Sequence, residues 1–578
     1  MRARRWAAGI ALLLASASAA GCANVPESSP VQVLRQISEG DAVMLPPGPV
    51  DGSNPLDLVR DFVFASGSNI DAHGAARRFL APEAGSWDDR ARLTVIDGQF
   101  DTVPAPGAQD PGTGVTTIRI RGTAIGHVTS SGSFEPEQSV FQQDVTVVRR
   151  EGQWRISGLP AGVVVPLSIF RDNYRAVRTW FVDPVRRLAV ADLRYVPSVP
   201  ARAQAARVVE LLLAGPSGAL LGAAVSQLPP DAQLRSNVTF STDGALVVDL
   251  TRLGDLDEPS RMLLAAQVVL SLSEVNVARV RLLADGEPLI PAKPDLTRED
   301  VASLHAEMQP GADVPGLVVS GGRIRQLTGP QPGSPLPGPV GNGQYDVESA
   351  ASTADGQRFA AVARQGGGRV LLVGGGSDGT VQAVPLSAGR MTRPSWTPAG
   401  SEVWTVLDSA VVARVVVDAG GSARTAQVNA DALAALGPIA DLRLSRDGMR
   451  VVAVVGGGLY TGAVARSIDG EVAIRNIRRL RPADLGEVVA ADWRSPEAVV
   501  AITHNPDLLV GQVSVDGLGV LQVLGNNLTP PLTAVAAAAN RPLLVTDQAG
   551  VWSFAGGDQA AWRQVLGGVP DAVPVYPG

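Results

Sequence analysis

Ser377 sits in Gly375-Gly376-Ser377-Asp378-Gly379, a spacing that in some hydrolases lifts a serine hydroxyl onto a sharp turn. That chemistry needs a strand before the serine and a helix after it. Here 370–373 and 380–384 are both strand-like, so the segment reads as a hairpin turn. The four histidines, His73, His127, His305 and His504, share no metal-ligand spacing and form no His-Glu-x-x-His pair. Each reads as a surface or loop residue. Lys293 is the only lysine and is followed by Pro294, which removes the Gly-Lys-Ser/Thr phosphate cradle and the strand lysine of kinases. Asp355, Asp378, Asp447 and Asp516 fall in turns, where short carboxylates bond their own backbone. No loop is dense enough in carboxylates to suggest calcium. The sequence therefore assigns no catalytic residue, no cofactor and no metal. Arg475, Arg478, Arg479 and Arg481 form its densest basic patch, read as a solvated blade edge with an acidic partner or anionic headgroups as the functional alternative. Trp396, Trp404, Trp493 and Trp552 read as core residues and not as a sugar platform.

Cys22 is the remaining reactive group, and it is the only cysteine. Arg2, Arg4 and Arg5, then an apolar stretch over 7–17, then small residues, give the order of a secretory leader over 1–21. The apolar stretch is short of the roughly 20 residues that a spanning helix needs. Ala19-Ala20-Gly21-Cys22 resembles the lipobox of bacterial lipoproteins, with Ala19 where leucine is usual. The resemblance implies that Cys22 is acylated and becomes the mature N-terminus. The alternative is a plain leader ending at Ala17-Ser18-Ala19, with Cys22 left as a thiol. A lone cysteine has no internal disulfide partner, and a free thiol in an oxidising compartment is a liability, so lipid attachment at Cys22 is the expectation. More than one acyl chain is needed for stable anchoring, which a diacylglyceryl group supplies. Loss of three leader arginines takes the formal charge from −7 to −10, a poor balance for binding nucleic acid.

Three folded parts follow a Pro-rich tether over 22–53. The first, 54–170, opens with Leu56, Val59, Phe62 and Val63 at helical spacing, which predicts a helix over 55–65. A second helix is expected over 72–80, then strands over 93–96, 116–121, 140–150 and 154–157, an α+β arrangement similar to the NTF2-like group. Such a cone either holds a ligand or docks a neighbour, and docking is expected here. The second part, 171–305, runs strands over 176–182 and 188–195, a helix over 201–214, a hairpin about Asp243-Gly244, a helix over 260–272 and a strand over 278–283. That order, with Gly215-Pro216 ending the first helix, resembles the GerMN domain of spore-germination and envelope proteins.

The third part, 315–578, repeats. Turn residues Gly356, Gly400, Gly448, Pro496 and Asn540 each precede an apolar strand, at spacings of 44, 48, 48 and 44. A turn-then-strand unit at that period marks a β-propeller blade. Five units are visible, and 317–319 with 323–327 are candidates to close the ring, so five to seven blades are expected. The Pro- and Gly-rich 330–344 reads as a propeller loop.

Lipobox, α+β domain, GerMN-like domain and propeller, in this order and over this length, resemble the actinobacterial lipoprotein LpqB family. The resemblance rests on Ala20-Gly21-Cys22, the helix ending at Gly215-Pro216 and the Ser445-Arg446-Asp447-Gly448 turn. It implies a non-enzymatic accessory of the MtrA–MtrB two-component system. Such a protein sits on the extracytoplasmic face of the membrane, binds the extracytoplasmic domain of the sensor kinase MtrB, and affects envelope homeostasis and division. A cell-wall glycan-binding or scaffolding role is the alternative, and a hydrolase using the propeller's central funnel the third.

Overall fold

The computed structural model describes residues 46–109, 111–305, 310–311, 313–327, 331–376, 379–523, 525–556 and 561–578. Cys22, the leader and most of the expected tether lie outside the described residues, as do Ser377 and Asp378. The end of the tether is pinned to the first domain, because the Arg78 guanidinium donates to the Pro46 carbonyl and Gln153 to the Asp51 carboxylate at 2.5 Å.

Helix α1 (Pro55–Ala65) begins where the sequence predicts. Asn54 caps it, its side-chain oxygen accepting from the Leu56 and Asp57 amides at 2.9 and 3.0 Å, and Pro55 fits the first turn. Helix α2 (Gly74–Arg77) is much shorter than expected. Asp71, Ala72 and His73 all have positive φ, a left-handed run that no right-handed helix can include. Strands β1 (Leu93–Ile96), β2 (Asp101–Pro104), β3 (Val115–Val128), β4 (Phe134–Arg150), β5 (Gln153–Gly158) and β6 (Val163–Pro166) form one sheet in the order β5-β4-β3-β1-β6, with β2 also on β3. Glu151 and Gly152, both at positive φ, make the tight turn between β4 and β5. Leu58, Val59, Phe62 and Val63 of α1 pack on Ile118, Ile120, Val145 and Ile156, which makes this the core of an α+β domain.

Helix α3 (Leu167–Asn173) leads into a long hairpin, β7 (Tyr174–Val182) and β8 (Ala189–Pro197). Helix α4 (Ala201–Leu213) and helix α5 (Glu258–Ser273) lie on the second domain's core. Its sheet holds β9 (Gln233–Leu234), β10 (Thr239–Phe240), β11 (Leu246–Thr251), β12 (Val280–Ala284), β13 (Glu287–Pro288) and β14 (Asp295–Leu296). β11 and β12 pair in parallel, which requires a crossover, and α5 supplies it. Inside that layer, Gln267 accepts from the Gln227 amide at 2.8 Å and donates to Ser226 at 2.9 Å. A buried polar side chain is thus satisfied on both ends.

The last domain is a propeller of six four-stranded sheets. Blades 2 to 6 span 346–388, 395–427, 439–479, 488–523 and 534–567. Blade 1 is a composite, in which Leu317–Ser320, Arg323–Leu327 and Pro332–Pro335 are completed by the C-terminal strand Val573–Val575. The ring therefore closes through the segments expected to close it, and 330–344 provides the outermost strand of that blade. Its prolines sit on an outer edge, where a missing amide costs little. Gly356, Gly400, Gly448 and Asn540 all adopt positive φ in the turns before the second strands, which is why those turns repeat in the sequence.

Candidate interdomain site

The arginine cluster of blade 4 lies at the seam between the propeller and the first domain. Arg478 and Arg479 end the outermost strand, Val472–Arg479, and Arg481 follows in a left-handed conformation. With Ile125, Glu135, Pro136, Glu137 and Gln138 of β3 and β4, they line a cavity of about 390 Å³. Arg478 meets the Glu135 carboxylate at 3.1 Å, and Arg481 pairs with Asp484. Arg479 stands over the Tyr460 ring, 6.0 Å from its centroid. On the far wall, Glu137 is held by Arg92 at 2.7 Å, and His127 lies 3.5 Å from Glu135 and 3.6 Å from Glu137. Burial and then Arg92 keep the His127 imidazole below its usual pKa, against the pull of the two carboxylates. The patch read as a solvated edge is thus partly a joint: Arg478 is spent on the neighbouring domain, Arg479 and the Asp484-paired Arg481 line the hollow, and Arg475 is exposed outside it.

Two further joints fix the three domains. Arg194 and Asp192 of β8 are fully buried and bond at 2.7 Å. Arg194 also donates to the Gly215 carbonyl at 2.9 Å and to the Ser131 carbonyl of the first domain, while Asp192 accepts from the Ser217 amide and hydroxyl at 2.8 Å. The adjacent Tyr195 donates its amide to the Gly132 carbonyl at 2.7 Å and its hydroxyl to Asp516 of blade 5 at 2.8 Å. Burial, and next the Asp516 charge, push the Tyr195 hydroxyl well above its ordinary pKa, so it remains a donor. The second joint uses the Ser445-Arg446-Asp447-Gly448 turn. The Asp447 carbonyl accepts from Arg186, and Arg450 reaches the Ala191 carbonyl at 2.8 Å. Turn aspartates Asp447 and Asp516 therefore do more than shape turns; no local pattern in the sequence marks this second role.

The propeller axis is filled. Arg393, just before blade 3, donates to Val535 of blade 6 at 2.8 Å and to Ala491 of blade 5 at 3.3 Å. Blades 3 and 6 face each other across a six-membered ring, so this side chain spans the axis. Arg443 donates to the Pro394 carbonyl and lies 3.4 Å from Asp492, while Arg446 donates to Pro577 and Ala537 at 2.6 and 2.9 Å. Complete burial, then neighbouring Arg393, push the Arg443 guanidinium down to about 10. Burial would raise the Asp492 carboxyl, but Arg443, Arg393 and Arg446 outweigh it and hold it below its ordinary value.

The other residues singled out in the sequence lie apart. His73 is in a loop but buried, its ring bonded to the Ser66 carbonyl at 2.9 Å and near Asn69 at 3.2 Å. His305 stands edge-on to Trp180, and His504 is exposed beside Glu487. Among the described residues, no three His, Cys, Asp or Glu side chains are grouped to hold a metal ion. Trp396, Trp404 and Trp493 are buried in blade cores, whereas Trp552 is half-buried. The strands Gly368–Gly375 and Val381–Ala388, which precede and follow the Ser377 segment in the chain, pair antiparallel, and the second is a strand where the hydrolase turn needs a helix. No described helix is long and apolar enough to cross a membrane.

Fold and site together define a three-domain propeller protein whose charged residues join domains and seal the ring axis. The chain belongs to the Lipoprotein LpqB family. Family models match 48–171 (Lipoprotein LpqB, N-terminal domain), 178–290 (Sporulation and spore germination) and 322–577 (Lipoprotein LpqB beta-propeller domain). Lipoprotein LpqB of Rhodococcus opacus (strain B4) is 32% identical, the match covering 100% of this chain and 99% of that protein. The counterpart in Mycobacterium tuberculosis (strain CDC 1551 / Oshkosh) is 30% identical, with 98% of each chain covered. Among solved structures, TolB from Acinetobacter baumannii is 14% identical with a TM-score of 0.30, covering 46% of this chain and 68% of that one. That score is too low to bear on this chain. The family is not a known enzyme family.

Proposed function

We propose that this chain is anchored at the extracytoplasmic face of the cell membrane by acyl groups on Cys22 and acts there by binding. Its partner in this reading is the extracytoplasmic domain of the sensor kinase MtrB. It serves as an accessory of the MtrA–MtrB system, with effects on envelope homeostasis and division. Membership of a lipoprotein family along the full length supports the anchor. The observation that carries the binding role is the sealed axis: Arg393, Arg443 and Arg446 take backbone carbonyls across the centre, leaving outer surfaces and seams for recognition. Three of the four blade tryptophans, Trp396, Trp404 and Trp493, are buried and offer no stacking platform for sugars, which favours a protein partner over a glycan. The test is biolayer interferometry of the chain from residue 23 onward against the kinase's extracytoplasmic domain. Saturable binding at micromolar concentration is expected. Absence of binding, with saturable retention on purified cell wall instead, would assign the glycan-scaffold role. For the anchor, radiolabelled palmitate is expected to enter the parent protein and not Cys22→Ser; equal labelling of both overturns attachment at Cys22.

A further inference from the structure

The longest hairpin of the first domain leaves a sheet edge open beside the arginine cavity. The Arg149 amide donates to the Gly114 carbonyl at 2.8 Å, so the odd-numbered residues of β4 bond toward β3. Thr123, which lies opposite Val140, accepts from the Asp97 amide at 2.8 Å and so turns toward β1, in agreement. The main-chain groups of Val140 and Gln142 therefore point away from β3. Their other neighbour is β5, whose pairing reaches only Thr146, opposite Gly158. Among the described residues, no strand pairs with β4 along this stretch. No described residue lies over it either: Val140 is 79% exposed, and Glu137, Gln138, Ser139 and Gln142 are also exposed.

The cavity adjoins this edge along the same strand. Glu135 to Gln138 line it, and at roughly 3.3 Å per residue an added strand opposite Val140 reaches the cavity within two to four residues. Arg479 and Arg481 line it, Arg481 already paired with Asp484. The Nε of Arg481 is out of solvent and has no acceptor among the described residues, and Arg479 is steadied by Tyr460 with no carboxylate in ion-pair range among them. Glu135 and Glu137 share the hollow, which disfavours the continuous negative charge of a membrane surface and suits a single carboxylate.

We infer that β4 accepts an extended segment of a partner protein as an added strand on Val140 and Gln142, with an Asp or Glu side chain of that segment entering the cavity of Arg479 and Arg481. Main-chain bonds along an open edge supply affinity, and the terminal pocket supplies direction and specificity. The inference rests on the partner reading above and names its surface.

The probe is the extracytoplasmic domain of the kinase, titrated against the chain from residue 23 onward and two variants. Val140→Pro removes an outward edge amide at a position where proline is tolerated. Arg479→Glu reverses the charge of the pocket without touching the Arg478–Glu135 joint. Each is expected to weaken binding about ten-fold or more while melting at the parent temperature. In the complex with the parent, the Val140 and Gln142 amides are expected to become protected from hydrogen exchange. Parent-like affinity of both variants, with those amides unprotected, overturns this surface and leaves the partner reading intact. No binding by the parent overturns both. If the parent self-associates in sedimentation and Val140→Pro abolishes this without changing kinase affinity, a second copy covers the edge and the inference fails. Salt-sensitive capture by phosphatidylglycerol vesicles that Arg479→Glu abolishes, without loss of kinase affinity, likewise assigns the pocket to lipid and sinks it.

Discussion

Histidine shows how position decides the chemistry of a single side chain. His73 ends a left-handed run, and its imidazole is turned inward to the Ser66 carbonyl, with only 4% of the residue exposed. Burial lowers its pKa below 6.5, outweighing the opposing effect of Asp89. In the unfolded chain the ring takes a proton near 6.5, whereas in the folded chain it does so at lower pH. The unfolded state thus binds more protons below 6.5, so the stability this group contributes is present above that value and is lost as pH falls through the folded pKa. The expected outcome in urea unfolding is a decline in stability from pH 7 toward pH 5, with a slope of up to about 1.4 kcal/mol per pH unit from this group. His73→Asn, which tolerates the left-handed backbone, is expected to flatten that slope. An unchanged slope would count against the burial argument.

Elements matter here through what completes them. The five sequence repeats are the turns between first and second strands of blades 2 to 6, and blade 1 lacks that turn because its innermost strand, Val573–Val575, comes from the far end of the chain. Val318 and Val319 are buried against that strand's neighbourhood, and removing it opens an apolar edge. Deletion of 571–578 is therefore expected to make blades 1 and 6 susceptible to protease within minutes under conditions where the parent persists, and to promote aggregation. Resistance equal to the parent's would mean that closure contributes little. Element type was read correctly from periodicity where one helix face was buried, as in α1 and α4. It failed at 72–80, because nothing in the composition announces three successive left-handed residues.

Residues Pro46 to Gly578 form one compact unit. Tyr195 joins three domains with two hydrogen bonds, and the Arg194–Asp192 pair ties the first two domains through carbonyls of Ser131 and Gly215. Truncating one partner of a buried pair leaves the other charge uncompensated, at a cost of about 3–5 kcal/mol. Asp192→Ala is accordingly expected to lower stability by that amount and to split one calorimetric transition into two, with the first domain melting separately. A single transition shifted by less than about 1 kcal/mol would show that the joint is held by packing alone.

By itself the sequence determined the parts of the fold: the α1 stripe, the Gly215-Pro216 stop and the glycine turns of the blades. Each depends on residues close together in the chain, where propensity and periodicity act. The tertiary structure alone decided the blade number, the filled axis and the seam. Arg393 meets Val535, Tyr195 meets Asp516 and Arg478 meets Glu135 across separations of 142, 321 and 343 residues, and a single arginine or tyrosine reads the same whether it ends in water or on a distant carbonyl. Burial and pairing across the ring, not residue type, give those side chains their roles.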